Sequence, residues 1–369
     1  MSATNHKKYF NEEELVLPLT LPDGKRIFSY DMGGSLFKLA YAVSSDDKSQ
    51  VKIKMVTFSN HDLDDALNFI EKEILETGKR DDVTAYGSGI GSRINMEKLS
   101  NKFDIKDNNF TDEFVCFGKG LHYMLTELDE PAYLHPYEDA TVPSRAELGM
   151  NNSSFVKVTE EEELTMRAKK DSFPALLGFF GSGLGFILVD EDGSVDMVGG
   201  AAAAGLAFHS LGKVLTGAKS YEELMEFAGN GDSRVCTTTL DDMSVGEYAE
   251  MDLQAFNEKT DFVFEVFPFG NIVRKGIKNP RKEDLARSLL HMVCDSVITT
   301  VLGLAKAYKL NKCYLAGSFF AKGDIAKQYL ARLPTVTNTV GWPVYPRYLK
   351  FEGYIGVLGA IIDHFQAKK

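Results

Sequence analysis

The chain has 369 residues, 44% of them hydrophobic and 25% charged, which suits a globular protein with two domains of about 100–200 residues each. Its formal net charge of −12 argues against a nucleic-acid partner, because a polyanion binds a basic surface. A polar start, no run of about 18 apolar residues, and four scattered cysteines predict a cytoplasmic protein with buried free thiols and no membrane span.

A glycine turn follows a polar N-terminal extension, residues 1–25. Strand-like runs at 25–30 and 36–43 flank Asp31-Met32-Gly33-Gly34-Ser35. A backbone without Cβ can approach a phosphate closely, and successive N–H groups can then face its oxygens. Asp31 could hold the accompanying Mg²⁺, directly or through water. The same five residues are equally typical of an ordinary hairpin with a Gly-Gly turn.

A second glycine turn, Gly181-Ser182-Gly183, repeats the pattern about half a chain later. Apolar runs flank it at 174–178 and 184–189, and another begins at 195. Two copies of a strand–turn–strand meander predict two related α/β lobes, 26–170 and 171–369, with a cleft between them. This pattern resembles the ribonuclease H-like architecture of actin, the heat-shock chaperones and the sugar kinases. A polar stretch, 128–170, marks the predicted lobe boundary.

Helical spacing of apolar residues predicts the remaining elements. Helices are expected over 62–78, 222–229, 283–308 and 356–366, and a strand over 312–315. The strand runs into Ala316-Gly317-Ser318, a third glycine turn beside a helix. In proteins of this architecture such a turn commonly lies against the adenosine, so Gly317 is a candidate nucleotide contact.

The sequence also resembles one particular family. The segment from Asp31 to Tyr41 resembles the Asp-Ile-Gly-Gly-Thr-Leu-x-Lys opening of the eukaryotic-type (type II) pantothenate kinases. The resemblance covers roughly residues 28 to 365 and continues in chain order through Asp112-Glu113 with Lys119-Gly120-Leu121, Gly181-Ser182-Gly183, Val198-Gly199-Gly200, Leu215-Thr216-Gly217, Gly231-Asp232, Phe269-Gly270-Asn271, Lys282-Glu283-Asp284-Leu285-Ala286-Arg287 and Glu352-Gly353-Tyr354-Ile355-Gly356.

The resemblance implies ATP-dependent phosphorylation of pantothenate, with Mg²⁺, in coenzyme A biosynthesis. It also implies a dimer, formed with a second copy or with a paralogous kinase, and inhibition by acyl-CoA. It assigns the general base to Glu113, although on the sequence alone a helix N-terminal acid explains this residue better. Lys38 follows the first glycine turn, which suits a phosphate contact, but it could equally be a solvated strand residue.

Three departures affect the substrate and nucleotide positions. Met197 replaces an arginine that binds substrate in active relatives, and methionine cannot make a charged, bidentate contact. Gly185 replaces a serine, and the run 202–207 replaces a glycine-rich nucleotide segment. Two hypotheses follow: a working pantothenate kinase with an altered pocket, or a catalytically impaired pseudokinase that serves as a regulatory or structural subunit of an active kinase.

Overall fold

The computed structural model describes residues 11–60, 63–75, 80–128, 132–133, 172–243, 265–321, 324–338 and 341–366. Contacts divide the chain into two units. Unit 1 comprises Met1–Pro131, Val189–Asp196 and Gly353–Lys369, and unit 2 comprises Ala132–Leu188 and Met197–Glu352. The lobe boundary predicted near residue 170 lies outside the described residues.

A mixed six-stranded sheet forms the centre of unit 1, in the order β1-β4-β3-β2-β5-β6. Antiparallel pairing joins β1, β4, β3 and β2, whereas β2, β5 and β6 are parallel. The strands are β1 Asn11–Leu17, β2 Arg26–Met32, β3 Leu36–Ser44, β4 Val51–Ser59, β5 Val83–Ser88 and β6 Asp107–Phe110. β1 lies within the segment predicted to be a polar extension, where it forms an edge strand.

The helices of unit 1 are α1 Leu63–Phe69, α2 Ile90–Phe103, α3 Glu113–Glu127 and α13 Ile355–Gln366. The helix predicted over 62–78 is shorter, because α1 gives way to a π-helical turn at Ile70–Ile74. Ile70 and Ile74 are nevertheless buried in the core of the unit, so their apolar spacing reflects real packing.

Close packing of glycines fixes α3 against α13. A Cβ at Gly359 would lie 1.8 Å from the Cys116 carbonyl oxygen, and one at Gly120 would lie 2.4 Å from that of Ile355. Ser29 Oγ donates to the Val357 carbonyl oxygen at 2.6 Å, which ties α13 to β2 as well. Side chains at these glycines would force the helices apart, so residues 355–366 help to hold α3 in its position.

Unit 2 repeats the strand order. Its sheet runs β10-β9-β8-β13-β14-β7, so β10-β9-β8-β13-β14 corresponds to β4-β3-β2-β5-β6 of the first sheet. β8, β13 and β14 are parallel, like β2, β5 and β6. The strands are β7 Ala132–Tyr133, β8 Ala175–Phe180, β9 Leu184–Val189, β10 Val195–Ala201, β13 Lys312–Ala316 and β14 Tyr345–Leu349. The predicted α/β repeat is confirmed.

A long helix, α9 (Lys282–Tyr308), crosses the core of unit 2. Leu289, Leu290, Val293 and Val297 of this helix are buried there. By length and composition alone α9 could span a membrane, and 56% of its most apolar window is buried inside the protein. The helices are α4 Gly205–Thr216, α5 Tyr221–Asn230, α6 Ser233–Cys236, α7 Leu240–Met243, α8 Gly270–Arg274, α9 Lys282–Tyr308, α10 Ser318–Ala321, α11 Asp324–Leu330 and α12 Leu333–Asn338, and β11 Thr238–Thr239 pairs with β12 Glu265–Phe267.

The described elements agree closely with the predictions for unit 2. The helix predicted over 222–229 is one residue longer at each end. The helix predicted over 283–308 begins one residue earlier, and the strand predicted over 312–315 ends one residue later. In unit 1, α13 begins one residue before the predicted start. All four cysteines are free and buried, as predicted.

Candidate functional site

Three parallel strands of unit 1 end at the same edge of their sheet. Asp31 lies one residue before the end of β2, Ser88 ends β5 and Phe110 ends β6. Thr111 follows β6, and its N–H donates to the Gly87 carbonyl oxygen at 2.9 Å. Ligands of α/β sheets bind outside the carboxyl ends of parallel strands, so this edge is the candidate site of unit 1.

Asp31 is the most deeply buried acid at this edge, with 3% of its surface exposed. Lys38 lies opposite it on β3, and its Nζ is 3.5 Å from Asp31 Oδ2. Burial raises the pKa of Asp31, and the charge of Lys38 acts in the opposite direction. Asp31 Oδ1 accepts no hydrogen bond from any described residue.

A glycine makes room for that oxygen. Gly89 caps α2 with φ +82°, and a Cβ there would lie 2.4 Å from Asp31 Oδ1. A buried carboxylate oxygen that still needs a partner fits a Mg²⁺ ion or one of its waters. The described residues form no cluster of three or more acidic, histidine or cysteine ligands. Asp31 would therefore hold the ion as a single carboxylate, with waters and substrate phosphates completing its shell.

The first glycine turn is held by Asn60. The Gly33 N–H donates to the Leu36 carbonyl oxygen at 3.0 Å, which closes the turn. The backbone N–H of Asn60 donates to the Ser35 carbonyl oxygen at 3.1 Å, and the side-chain amide of Asn60 donates to the Gly33 carbonyl oxygen. The pattern that predicted the turn, including Gly34, contained no signal for Asn60, which directly follows β4.

Glu113 is the first residue of α3, with its carboxyl near Asp31. The N-terminal cap is the neighbouring Asp112, whose Oδ1 accepts from the N–H groups of Phe114 and Val115 at 2.9 and 3.3 Å. Burial, together with the negative charge of Asp31, raises the pKa of Glu113 to about 7, although Lys38 opposes this shift. Glu113 thus lies at a helix N-terminus, as the alternative explanation predicted, and also has the proton affinity of a general base.

The second glycine turn accepts the first amides of α4. The Gly181 N–H donates to the Gly183 carbonyl oxygen at 2.9 Å, while the N–H groups of Gly205 and Leu206 donate to the carbonyl oxygens of Gly181 and Ser182, both at 3.1 Å. Two amides at the N-terminus of α4 are therefore already used within the protein. Cβ atoms at Gly181 or Gly183 would meet nothing within 4 Å, so the outer side of the turn is open.

The two substituted pocket positions differ in their surroundings. A Cβ at Gly185 would lie 2.0 Å from the Phe179 ring, so the aromatic side chain fills the space that a serine would need. Met197 on β10 is 59% exposed and is free to be replaced by a longer side chain. The position of the Phe179 ring therefore depends on the absence of a side chain at residue 185.

The third turn is held by Glu352. Gly317 has φ +119° and donates its N–H to the Glu352 carbonyl oxygen at 2.7 Å. A Cβ at Gly317 would lie 2.1 Å from the Phe180 carbonyl oxygen, so the position requires glycine. Glu352 in turn accepts from Lys327 Nζ at 2.7 Å in a buried ion pair. Lys327 is a supporting residue that no sequence motif indicated.

The structure thus places the predicted residues in two sets. Asp31, the first glycine turn, Lys38 and Glu113 belong to unit 1, where Asp31 contacts Lys38 and influences Glu113. Gly181–Gly183, Gly185, Met197 and Gly317 belong to unit 2. That the two sets face one cleft stays a prediction.

A family model and several known proteins match this chain over most of its length. A family model described as Fumble matches residues 27–363. Pantothenate kinase 1 of Arabidopsis thaliana is 27% identical, over 90% of this chain and 84% of the plant protein. The 4'-phosphopantetheine phosphatase of Mus musculus is 23% identical over 93% of this chain, which spans 41% of the mouse protein. A glucokinase structure from Balamuthia mandrillaris, in complex with glucose, covers 92% of this chain and 93% of its own at 11% identity with a TM-score of 0.44.

Proposed function

Because the chain belongs to the Fumble family of type II pantothenate kinases, we propose that it transfers the γ-phosphoryl group of ATP to the primary hydroxyl of pantothenate. The observation that carries this proposal is the Glu113 carboxyl at the carboxyl edge of the first sheet, with its pKa raised to about 7. A base with this pKa is deprotonated in a large fraction of molecules at neutral pH and still accepts a proton readily.

Each residue of the unit 1 site has a role in this reaction. The Glu113 carboxylate takes the proton of the pantothenate hydroxyl as that oxygen bonds to the γ-phosphorus and the bond to the ADP oxygen breaks. Lys38 and the N–H group of Gly34 in the first glycine turn would balance charge on the phosphate oxygens. Bound Mg²⁺, held by Asp31, would neutralise charge on the β- and γ-phosphates.

The test is phosphorylation of pantothenate by the purified protein and by Glu113→Gln. Loss of a general base typically costs 10²–10⁴-fold, so we expect the variant to lose at least about 100-fold in kcat. Asp112→Asn, which keeps a capping oxygen beside Glu113, should retain most of the activity. If Glu113→Gln matches the wild type, the assignment of the base is wrong.

A second candidate function is that of an impaired kinase acting as a regulatory or structural subunit. It is favoured by the uncharged Met197, by the Phe179 ring that occupies the space beside Gly185, and by the use of two α4 amides within the protein. Such a subunit would pair with an active paralogous kinase or bind acyl-CoA. Copurification with that kinase, combined with no turnover by the isolated chain, would support this candidate over the first.

A further inference from the structure

The first turn of α2 breaks the usual charge rule for helices. Arg93 lies in this turn, which contains no acidic residue, although a cation is unfavourable near the positive end of the helix dipole. Ile90 and Ile94 lie beside Arg93, one helical turn from each other, and their side chains are 74% and 75% exposed. Departures from local rules of this kind concentrate at functional sites.

Arg93 lies at the same sheet edge as the candidate site. Its Cζ is 5.7 Å from the ring centroid of Phe110, the last residue of β6 and three positions before Glu113. The helix that carries it is capped by Gly89, where a Cβ would lie 2.4 Å from Asp31 Oδ1. Arg93 is exposed, and it forms no ion pair with any residue in the described part of the chain.

We propose that Arg93 binds the carboxylate of the acceptor, the contact that Met197 cannot provide. The inference rests on the proposed function, because it takes pantothenate as the acceptor. Pantothenate carries its reacting hydroxyl beside a dimethyl carbon at one end and a carboxylate at the other. A guanidinium binds a carboxylate in a bidentate manner, and the exposed isoleucines offer apolar contact to the dimethyl group. Phe110 supports Arg93 from one side and limits its freedom.

The experiment separates charge recognition from stability by using two ligands. Binding of pantothenate and of pantothenol, which has a neutral hydroxyl in place of the carboxylate, is measured by calorimetry for the wild type and Arg93→Gln. Kinetic constants for both ligands are measured wherever turnover occurs. We expect Arg93→Gln to weaken pantothenate binding about tenfold or more and to change pantothenol binding by less than about twofold.

Lys102→Gln is the matched control. Lys102 lies on the same helix and its Nζ is 5.6 Å from the Phe103 ring centroid, so the change removes a similar cation–ring contact away from the candidate site. This variant should bind both ligands like the wild type. Circular dichroism and thermal unfolding of all variants check that α2 is intact.

Each outcome decides a different point. Equal pantothenate binding by the wild type and Arg93→Gln overturns the inference and leaves the proposed function standing. Equal weakening for both ligands also overturns it, because the loss is then not one of charge recognition. If Arg93→Gln weakens the binding of pantothenate but not of pantothenol, and the wild type shows no turnover, the inference about Arg93 stands and the proposed kinase activity is overturned. No pantothenate binding by the wild type overturns both.

Discussion

The half-buried carboxyl of Glu113 makes the stability of the protein depend on pH. The folded protein keeps the Glu113 proton up to a pKa of about 7, whereas an unperturbed glutamate releases it near 4.5. The folded state therefore binds more protons between these values. The stabilisation from this residue is fully present below about pH 4.5 and is lost as the pH rises through 7.

We expect Glu113→Gln to raise the free energy of unfolding at pH 8 by on the order of 1–2 kcal/mol, because the uncharged amide avoids the cost of a buried charge. The gain should vanish near pH 4, where the wild-type carboxyl is protonated in both states. Urea unfolding at the two pH values measures it. A gain of equal size at both pH values would show that desolvation of the carboxylate is not its cause.

The left-handed backbone at Gly89 is required by the contact with Asp31. Gly89→Ala adds strain at φ +82° and pushes a methyl group against Asp31 Oδ1. We expect a loss of about 1–3 kcal/mol in stability together with a marked loss of Mg²⁺-dependent ATP binding. Thermal unfolding and calorimetry measure the two effects.

Gly217→Ala is the control for Gly89→Ala. Gly217 also has a positive φ, +73°, at the end of α4, but a Cβ there meets nothing within 4 Å. The Gly217→Ala variant should lose a similar amount of stability through backbone strain and should retain the wild-type affinity for ATP. If both variants lose nucleotide binding equally, the effect of Gly89→Ala comes from instability rather than from Asp31.

At the scale of elements, the contact between α3 and α13 positions the helix that carries Glu113. Gly359→Ala would place a methyl group 1.8 Å from the Cys116 carbonyl oxygen, so one helix must move. We expect destabilisation of about 1–3 kcal/mol, as for other overpacked cores, and reduced kcat through displacement of Glu113. Denaturant unfolding and the pantothenate assay measure these changes.

The matched substitution on another helix, Gly303→Ala, should change the stability in the opposite direction. A Cβ at Gly303 in α9 meets nothing within 4 Å, and alanine favours helix over glycine by about 1 kcal/mol. Gly303→Ala should therefore stabilise the protein slightly and leave activity unchanged. Comparable destabilisation by both variants would contradict the packing argument for Gly359.

Local patterns predicted the regular elements well, and long-range contacts explain the failures. The two glycine turns and their flanking strands were predictable because alternation, apolar runs and glycine act over a few residues. The π turn at Ile70–Ile74 was not, since its apolar spacing fits an α-helix equally. Asn60 and Lys327 support glycine turns from outside the turn segments, Lys327 through Glu352, and neither occupies a recognisable motif. The raised pKa of Glu113 comes first from burial and then from the charge of Asp31, and only the fold supplies either.

At the scale of the whole molecule, the repeated sheet order supplies two glycine turns with different capacities for phosphate. The turn of unit 2 already bonds the first amides of α4, and the run 202–207 departs from the glycine-rich nucleotide segment of the family. We expect ATP·Mg²⁺ to bind weakly, towards the upper end of the usual KM range of roughly 1 μM–1 mM. Calorimetric titration with ATP, acetyl-CoA and pantothenate, with and without Mg²⁺, measures this. Submicromolar, Mg²⁺-dependent ATP binding would contradict the view that the nucleotide segment is degenerate.

Unit 1 is built from separate stretches of chain, and this limits the order in which its parts can fold during synthesis. The helix carrying Glu113 is synthesised early, but the glycine face of α13 that it packs against follows only after all of unit 2. Until then the apolar side of α3 lacks its native cover, including the contact at Cys116. Unit 2 can complete its sheet first, and the candidate base reaches its final position only when the chain returns to the first unit. Nascent chains halted before residue 355 should therefore expose α3 to proteases and chaperones.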